Sequence, residues 1–578
     1  MDVSPEMDAA YNSLNSEDDD LEALLDSAAD GSDGSVTGFS RRLKTDKYGR
    51  RLDKHNIKKR LRYYIPILSW LPAYRKTDIL YDILAGIAVA CLLIPQSLSY
   101  ASLADLDPMY GLYTSFVPIM VYIFLGTSRH VAVGPEAVVS IMTGAAIVYE
   151  EDPEERLALV AVLTCLVGLF TFALGLFRLG YLDCILSRAT NRGFITGVAF
   201  VVIVEQLHRA LGLQSHWEEG SSTLMKLIFI FEHISETQLY PCLFSFIGVA
   251  LLMAFKFVRE RYYSHSTVMR LFPSIMLLVI VSELLAWGFQ LDQHGLAILG
   301  DIQGGFVTPR VPLLTSARVS NLLLSAVVIS IVGFVESIIV AKEQANKHGY
   351  AISDNRELVA FGMMNILSCF FGGYPAFASM SRTSVADASG ARTQVYGFVT
   401  GIIVLFAILF MLPAFKYLPI ATQAAIVLYA AFNLIELHDL LFLWRIRAYS
   451  DIVMFAIIFF VTLLISVEVG IFVSILVSVG LVMKETTKPM FAVLGVVPGT
   501  TKYVEIGRHG ATAVDGMILL QMFDSLYFAN SGLLKDRLRR VELFGSLSNH
   551  PGDDVVARQL RVIVFDLERM QTIDASYV

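Results

Sequence analysis

Apolar runs of membrane-spanning length fill the chain from residue 78 onward. The clearest lie near 80–98, 107–126, 157–177, 193–207, 240–257, 271–289, 321–341, 395–412, 451–466 and 467–483. Shorter or interrupted apolar segments lie near 133–149, 357–372, 376–390 and 419–435. About 20 apolar residues in a helix cross about 30 Å of hydrocarbon, so the pattern predicts fourteen spans. After residue 490 the texture changes. Residues 516–523 (GMILLQMF) have strand length, and 530–541 carry Leu533, Leu534, Leu538 and Val541 at helical spacing. A polar stretch, 542–558, separates these from a second strand candidate, 561–568 (RVIVFDLE). Strand, helix and strand in that order predict a soluble α/β domain.

Composition agrees with the spans. Apolar residues make up 55% of the 578 positions, charged residues only 17%, and mean hydropathy is +0.59. A water-soluble protein has no surface on which to place so much apolar material, whereas a protein whose outside faces lipid does. The same numbers exclude a disordered chain, a collagen and a small disulfide scaffold.

Charge sets the expected orientation. Residues 1–34 hold eleven Asp or Glu and no Lys or Arg, and residues 41–62 hold eleven Lys or Arg against Asp46 and Asp53. Residues 1–62 therefore read as a disordered cytosolic tail, acidic and then basic. Its basic part is either a solvated linker or a segment lying on anionic headgroups. The first long apolar run comes only after residue 78, which predicts no N-terminal signal peptide. With the basic end inside, the inside loops carry fourteen Lys or Arg, from Arg129 to Arg447, against six in the outside loops. The excess predicts both termini on the cytosolic side. Cys91, Cys165, Cys184, Cys242 and Cys369 fall in or beside apolar spans without metal-ligand spacing, and read as small buried hydrophobes.

Two short segments open alike. Residues 132–140 read AVGPEAVVS and residues 373–382 read GYPAFASMSR, each with Gly and Pro followed by small residues. They are third and tenth of the fourteen, so they hold the same place in two seven-span halves. Short, Gly/Pro-interrupted spans at corresponding positions point to a transporter site. Two ordinary kinked helices would give the same pattern.

These residues resemble a known family. Residues 94–101 (IPQSLSYA) look like the first-span signature of the SulP/SLC26 anion transporters, and 108–113 (PMYGLY) like its PxxGLY motif. Residues 133–140 and 379–394 resemble the family's third and tenth spans, and the C-terminal part resembles a STAS domain, with residues 573–576 near its DxS loop. The resemblance covers roughly residues 63–578. It implies an α-helical polytopic membrane protein of fourteen spans, built as two inverted seven-span repeats that form a core and a gate domain. Residues 63–490 are then the transport domain. Residues 491–578 are a partial cytosolic STAS domain, expected to be truncated because the chain stops two residues after Ser576. A homodimer follows from the resemblance alone.

The resemblance also implies a site. The anion sits between the N-termini of the two short helices, where backbone N–H groups and a partial positive charge are available. Matched onto this sequence, Gln96 and Tyr100 lie on span one, Pro135, Glu136 and Ala137 at the third-span helix start, and Ser379, Ser381 and Arg382 at the tenth. Each has a plainer reading: Ser381 as a helix cap, Arg382 as a snorkelling anchor, Tyr100 as packing. Glu136 departs from the family, which usually has a neutral residue there. Ionised, it competes with the substrate unless it titrates or points away.

Glu336, in the eighth span, is the sharpest mechanistic signal. A lone carboxylate in hydrocarbon costs at least about 2.5–3.5 kcal/mol. The family's proton-coupled sulfate carriers have Glu at this place, so Glu336 is read as the proton-coupling residue; a carboxylate paired within the core is the alternative. Glu205 and Glu283 are further carboxylates in or near spans, without an implied role. No P-loop, HExxH or Cys/His cluster is present, so neither an enzyme nor a cofactor is expected. Nucleic acid is not an expected partner either.

The expected function is proton-coupled uptake of an inorganic anion, sulfate favoured, by a multi-pass membrane protein of the plasma membrane, with a vacuolar membrane as alternative. An exchanger of chloride, bicarbonate or another anion is the nearest rival. A non-transporting sensor or scaffold signalling through the STAS domain is the rival of another class.

Overall fold

The computed structural model describes residues 62–578, apart from 151, 182–187, 214–221, 263–272, 302–304, 306–308, 436, 487–490, 507–510, 513, 515, 524, 526–531, 537, 541–560, 571 and 573–578. The N-terminal tail up to residue 61, Cys184, most of the polar stretch after residue 541 and the DxS-like residues lie outside the described residues. The chain divides into two compact units, residues 1–474 and 475–578.

The first unit is helical. In chain order its principal helices are α1 (Asp78–Leu103), α2 (Pro108–Leu125), α3 (Ala137–Ile147), α4 (Pro153–Leu176), α5 (Arg188–Leu211), α6 (Leu239–Tyr262) and α7 (Ser274–Gly288). They continue with α8 (Ser316–His348), α9 (Asp354–Ser368), α10 (Met380–Ala388), α11 (Val395–Phe406), α12 (Ile420–Leu434) and α13 (Tyr449–Leu464), and α14 (Val467–Thr486) begins in this unit and ends in the second. Each falls on one of the apolar segments predicted above. Among the described residues, seven helices are long and apolar enough to cross a membrane; α3, α7, α12, α13 and much of α14 are shorter apolar helices. The eleventh segment is not one regular helix. After Phe406 it passes through a π turn at Ala407–Met411 and a 3-10 turn at Leu412–Phe415, because Pro413 can neither donate to nor fit against the carbonyl four residues back.

The exterior of the unit is apolar, with Leu80, Leu324 and Phe410 among its exposed side chains. The interior holds many hydroxyl residues. Thr143, Thr164, Thr171 and Ser330 each donate to the carbonyl four residues earlier, at 2.7–2.8 Å, which settles a polar group inside its own helix. Helices approach closely where glycine removes the Cβ. A Cβ on Gly362 of α9 would meet the Phe172 nitrogen of α4 at 2.4 Å, and one on Gly111 of α2 would meet the Ser97 carbonyl of α1 at 2.0 Å. α8 is tied to the start of α4 by a two-pronged ion pair, Arg318 to Glu155, at 2.6 and 2.7 Å.

Between α2 and α3, and between α9 and α10, the chain is extended. Val133–Gly134 (β1) pairs antiparallel with Phe377–Ala378 (β2), with Val133 opposite Ala378 and Gly134 opposite Phe377. Gly134 takes φ +148°, a conformation side chains avoid. Pro135 and Pro375 have no N–H to continue a helix. These residues stop both helices short and set their first turns side by side.

The second unit contains a four-stranded sheet. Phe491–Val496 (β3), Tyr503–Glu505 (β4), Met517–Met522 (β5) and Val562–Asp566 (β6) lie in the order β4-β3-β5-β6. β5 and β6, the two strands foreseen from the sequence, run parallel with Met517 opposite Val562. Residues 532–536 and 538–540, on the connection between them, are helical, as a parallel pair requires. Leu534 and Met522 form the small core there. β3 and β4 were not foreseen; they add an antiparallel edge.

The contact at Gly111 is testable. Gly111→Val drives a side chain into the Ser97 carbonyl, so it destabilises the fold by about 1–3 kcal/mol. Differential scanning fluorimetry of the detergent-purified protein should read this as a lowered unfolding midpoint.

Candidate functional site

The β1–β2 pair places the start of α3 beside the start of α10. Three contacts fix the arrangement. The Ser379 N–H donates to the Ala132 carbonyl at 3.2 Å, the Ala132 N–H donates to Thr383 Oγ1 at 3.1 Å, and the Ala378 N–H donates to Ser337 Oγ on α8 at 2.9 Å. From α9, Asn365 grips the chain before β2. It takes the Ala376 N–H at 2.8 Å and donates to the Ala376 carbonyl at 3.0 Å. The Tyr374 N–H donates to Thr114 Oγ1 of α2 at 2.9 Å. Asn365, Thr383, Tyr374 and Thr114 were missed from the sequence. A single polar residue inside an apolar span carries no periodic signal, and each acts on a residue brought near only by folding.

Arg382, on the first turn of α10, has no exposed surface. Its Nη1 donates to the Pro135 carbonyl at 2.6 Å, so the arginine is tied to the loop that opens α3. Its Nε and Nη2 are buried without a hydrogen-bond partner. A snorkelling anchor would end in an exposed guanidinium, and this one does not. A Cβ on Gly134 would sit 3.5 Å from Nη2, so the absence of a side chain there keeps the guanidinium face clear. Burying a charge with donors unmade is costly, and an anion would satisfy both the charge and the donors.

The two helix starts differ. Glu136 is the N-cap of α3, and its Oε2 accepts from the Val138 N–H at 2.8 Å and the Val139 N–H at 3.2 Å. The expectation that both helices offer open N–H groups therefore meets a filled cradle at α3. At α10 the N-cap Ser379 makes no side-chain cap; its hydroxyl lies 3.1 Å from that of Ser381. Ser381 is not the cap either. Ala137 and Pro135 are buried around the same loop. Tyr100 is buried beside Glu136 and Arg382, and Tyr374 closes the same neighbourhood, its hydroxyl 3.3 Å from Ser140 Oγ. Gln96 is buried one turn before Tyr100, and its Oε1 has no partner. Glu336 is half-buried on α8 and its carboxyl meets that of Glu136. The structure thus brings Tyr100, Pro135, Glu136, Ala137, Ser379, Ser381, Arg382 and Glu336 into one neighbourhood.

The other carboxylates stand elsewhere. Glu205 of α5 pairs with Lys226, and Glu283 of α7 accepts from the Tyr417 N–H. Cys165 and Cys369 adjoin, whereas Cys91 and Cys242 are only half-buried.

A second polar cluster was not foreseen. His130, in the loop before β1, stacks on His348 at the end of α8, with centroids 4.1 Å apart and planes at 16°. His348 Nε2 lies 2.8 Å from Asp387 of α10, which also holds Lys347. Burial and the neighbouring His348 pull His130 down to about 4, so it is neutral. Face-to-face rings keep their in-plane lone pairs in two separate, nearly parallel planes, so one ion cannot lie in both. The cluster reads as a clasp between α8, α10 and the loop before β1, not as a metal centre.

The clamp at Ala376 yields a prediction. Asn365→Ala leaves the Ala376 N–H and carbonyl buried without partners, at a cost of about 1–3 kcal/mol. Thermal unfolding should fall, and anion binding should weaken with it, while membrane insertion, followed by fractionation, is retained.

The profile of the sulfate permease family matches residues 79–458. The chain is 32% identical over 518 residues to sulfate transporter 4.1, chloroplastic, of Arabidopsis thaliana, covering 89% of this chain and 74% of that protein. It is 32% identical over 501 residues to prestin of Danio rerio, covering 82% and 67%. Among solved structures it superposes on SLC26A9 with a TM-score of 0.80 at 25% identity, covering 94% of this chain and 87% of the other.

Proposed function

The chain belongs to the sulfate permease family, and from that membership we propose that it carries sulfate across a membrane together with protons, binding the anion at the α10 start beside α3. It is an integral membrane protein and an anion transporter. The relatives it matches are transporters, not enzymes.

One observation carries the site: a guanidinium without exposed surface, two of its nitrogens unpartnered, beside a helix start with no side-chain cap. A helix start contributes about 0.3–2 kcal/mol towards an anion, too little to offset the dehydration of a divalent oxyanion. Arg382 supplies the rest through charge-assisted donors, with Ser379 and Ser381 hydroxyls alongside. Glu336 supports coupling to protons, since its protonation cancels part of the negative charge that enters with sulfate. The chloride or bicarbonate exchanger is the rival reading, and Glu336 disfavours it. On this reading the fourteen helices are fourteen spans in two inverted repeats. A core domain moves against a gate domain, both termini are cytosolic, the plasma membrane is favoured over the vacuolar one, the protein is a homodimer, and residues 491–578 form a STAS-type domain.

Removal of the guanidinium tests the site. Arg382→Ala should weaken sulfate binding by about 1.5–3 kcal/mol, roughly 10- to 150-fold, with insertion intact. Ser381→Ala should cost less, because the backbone donors of α10 remain. Binding by purified protein decides, and unchanged affinity in an inserted Arg382→Ala protein removes the assignment.

Coupling is tested at Glu336. Glu336→Gln should abolish the stimulation of radiolabelled sulfate uptake by external acid in cells lacking their own carrier. Sulfate/sulfate exchange should persist, because glutamine keeps the volume and is permanently neutral. Retained acid stimulation would place coupling on another group.

A further inference from the structure

The filled cradle at α3 and the carboxyl contact behind it belong together. The Val138 and Val139 N–H groups are the donors a substrate anion would use at this helix start, and Glu136 Oε2 already occupies both. Its carboxyl also meets that of Glu336. An ionised carboxylate only accepts hydrogen bonds, so two carboxyls in contact require a proton between them. Arg382, bonded to the carbonyl of the residue before Glu136, keeps two donors unused.

We propose that Glu136 is a tethered anion, which holds the α3 donors in the empty carrier and yields them to the substrate on taking the proton it shares with Glu336. This rests on the anion site at Arg382 proposed above. The pair keeps its one proton throughout, so the negative charge passes from Glu136 to Glu336 while the count of donors at α3 is conserved. A carboxylate leaves two N–H groups as it becomes neutral, and an oxyanion takes them while Arg382 supplies the positive charge.

The groups around the pair are few. α8 brings Glu336 and α3 brings Glu136, α10 brings Arg382, α1 brings Tyr100, and the segment before β2 brings Tyr374. Tyr396 of α11 also neighbours Arg382, its hydroxyl donating to the His130 carbonyl at 2.8 Å. α4 and α9 also pack on α8, and they carry their charged residues at their ends, at 154–156 and 354–357. Arg382 is thus the one cation facing the pair among the described residues of these elements, and Glu336 the other carboxyl.

The proposal assigns opposite effects to the two carboxyls, which a structural role would not. Sulfate binding to the purified full-length protein is measured by isothermal titration from about pH 6 to about pH 8. In the wild type, affinity should fall by up to about tenfold per pH unit as the shared proton is lost. Glu136→Gln empties the cradle of charge, so it should bind sulfate at alkaline pH as tightly as the wild type does in acid, with the pH slope gone. Glu136→Ser keeps a neutral cap and should behave alike. Glu336→Gln leaves Glu136 ionised and should hold the weak alkaline affinity at every pH. Unchanged or weakened alkaline affinity in both Glu136 variants, or a retained slope, overturns the proposal. So does failure of both to fold, which would make the carboxylate a structural cap. Sulfate binding that survives in Arg382→Ala overturns the underlying site instead, so the two failures are distinguishable.

Discussion

Two breaks in the helical chain, in the middle of apolar packing, leave backbone groups with no water to receive them. The pairing of Val133 and Gly134 with Phe377 and Ala378 meets that constraint. Every unpaired polar group in such surroundings costs free energy on the order of a lost hydrogen bond or more. The pair is therefore braced from every side: Ser337 from α8, Asn365 from α9, Thr383 from α10 and Thr114 from α2 each take up a backbone group of the extended segments or their flanks. The short helices can begin there only because these four side chains and the two-residue ladder close the hydrogen-bonding account.

From that geometry follows the electrostatics. Two helix starts pointing into one neighbourhood concentrate partial positive charge, and Arg382 adds a full one. Within the described residues the site answers with Glu136 on the α3 donors and Glu336 behind it. Arg382 keeps spare donors and α10 keeps an open first turn. On the proposed reading, the imbalance between the two helix starts, one satisfied from within and one not, is what makes the site receptive to an anion.

The packing around it is rigid where glycine lets backbones touch, as at Gly362 between α9 and α4 and at Gly111 between α2 and α1. These contacts hold α9, which carries Asn365, against α4, and α2, which carries Thr114, against α1, which carries Tyr100. The clasp of His130, His348 and Asp387 joins α8 to α10, the two helices that bring Glu336 and Arg382. Site residues are thus held by elements that are themselves locked to each other.

Much of this was legible in the sequence. Apolar run lengths located the fourteen principal helices, because the apolar surroundings such a chain needs impose a length and a composition, and did not show the shorter helices Thr223–Glu232 and Leu437–Arg445. The Gly-Pro and Pro interruptions marked both short helices, since those residues refuse helical continuation wherever they occur. The family motifs placed Arg382, Ser381 and Glu136 on those helices. Tertiary structure decided the rest. Whether Arg382 snorkels or is sealed, and which carboxyl stands beside Glu136, depend on residues between about 200 and 250 positions away; Glu136 caps its own helix through Val138 and Val139, a local contact whose rotamer the folded surroundings select. Like Arg382, Thr383 found a distant partner, Ala132, and Asn365 reaches Ala376 across the turn that follows its own helix. β3 (FAVLGV) is apolar like β5 and β6 and was still not foreseen, whereas the three-residue edge strand β4 has no apolar run and exists through its pairing with β3. Local chemistry is written in spacing along the chain, whereas the satisfaction of a buried charge is a property of whatever the fold brings against it.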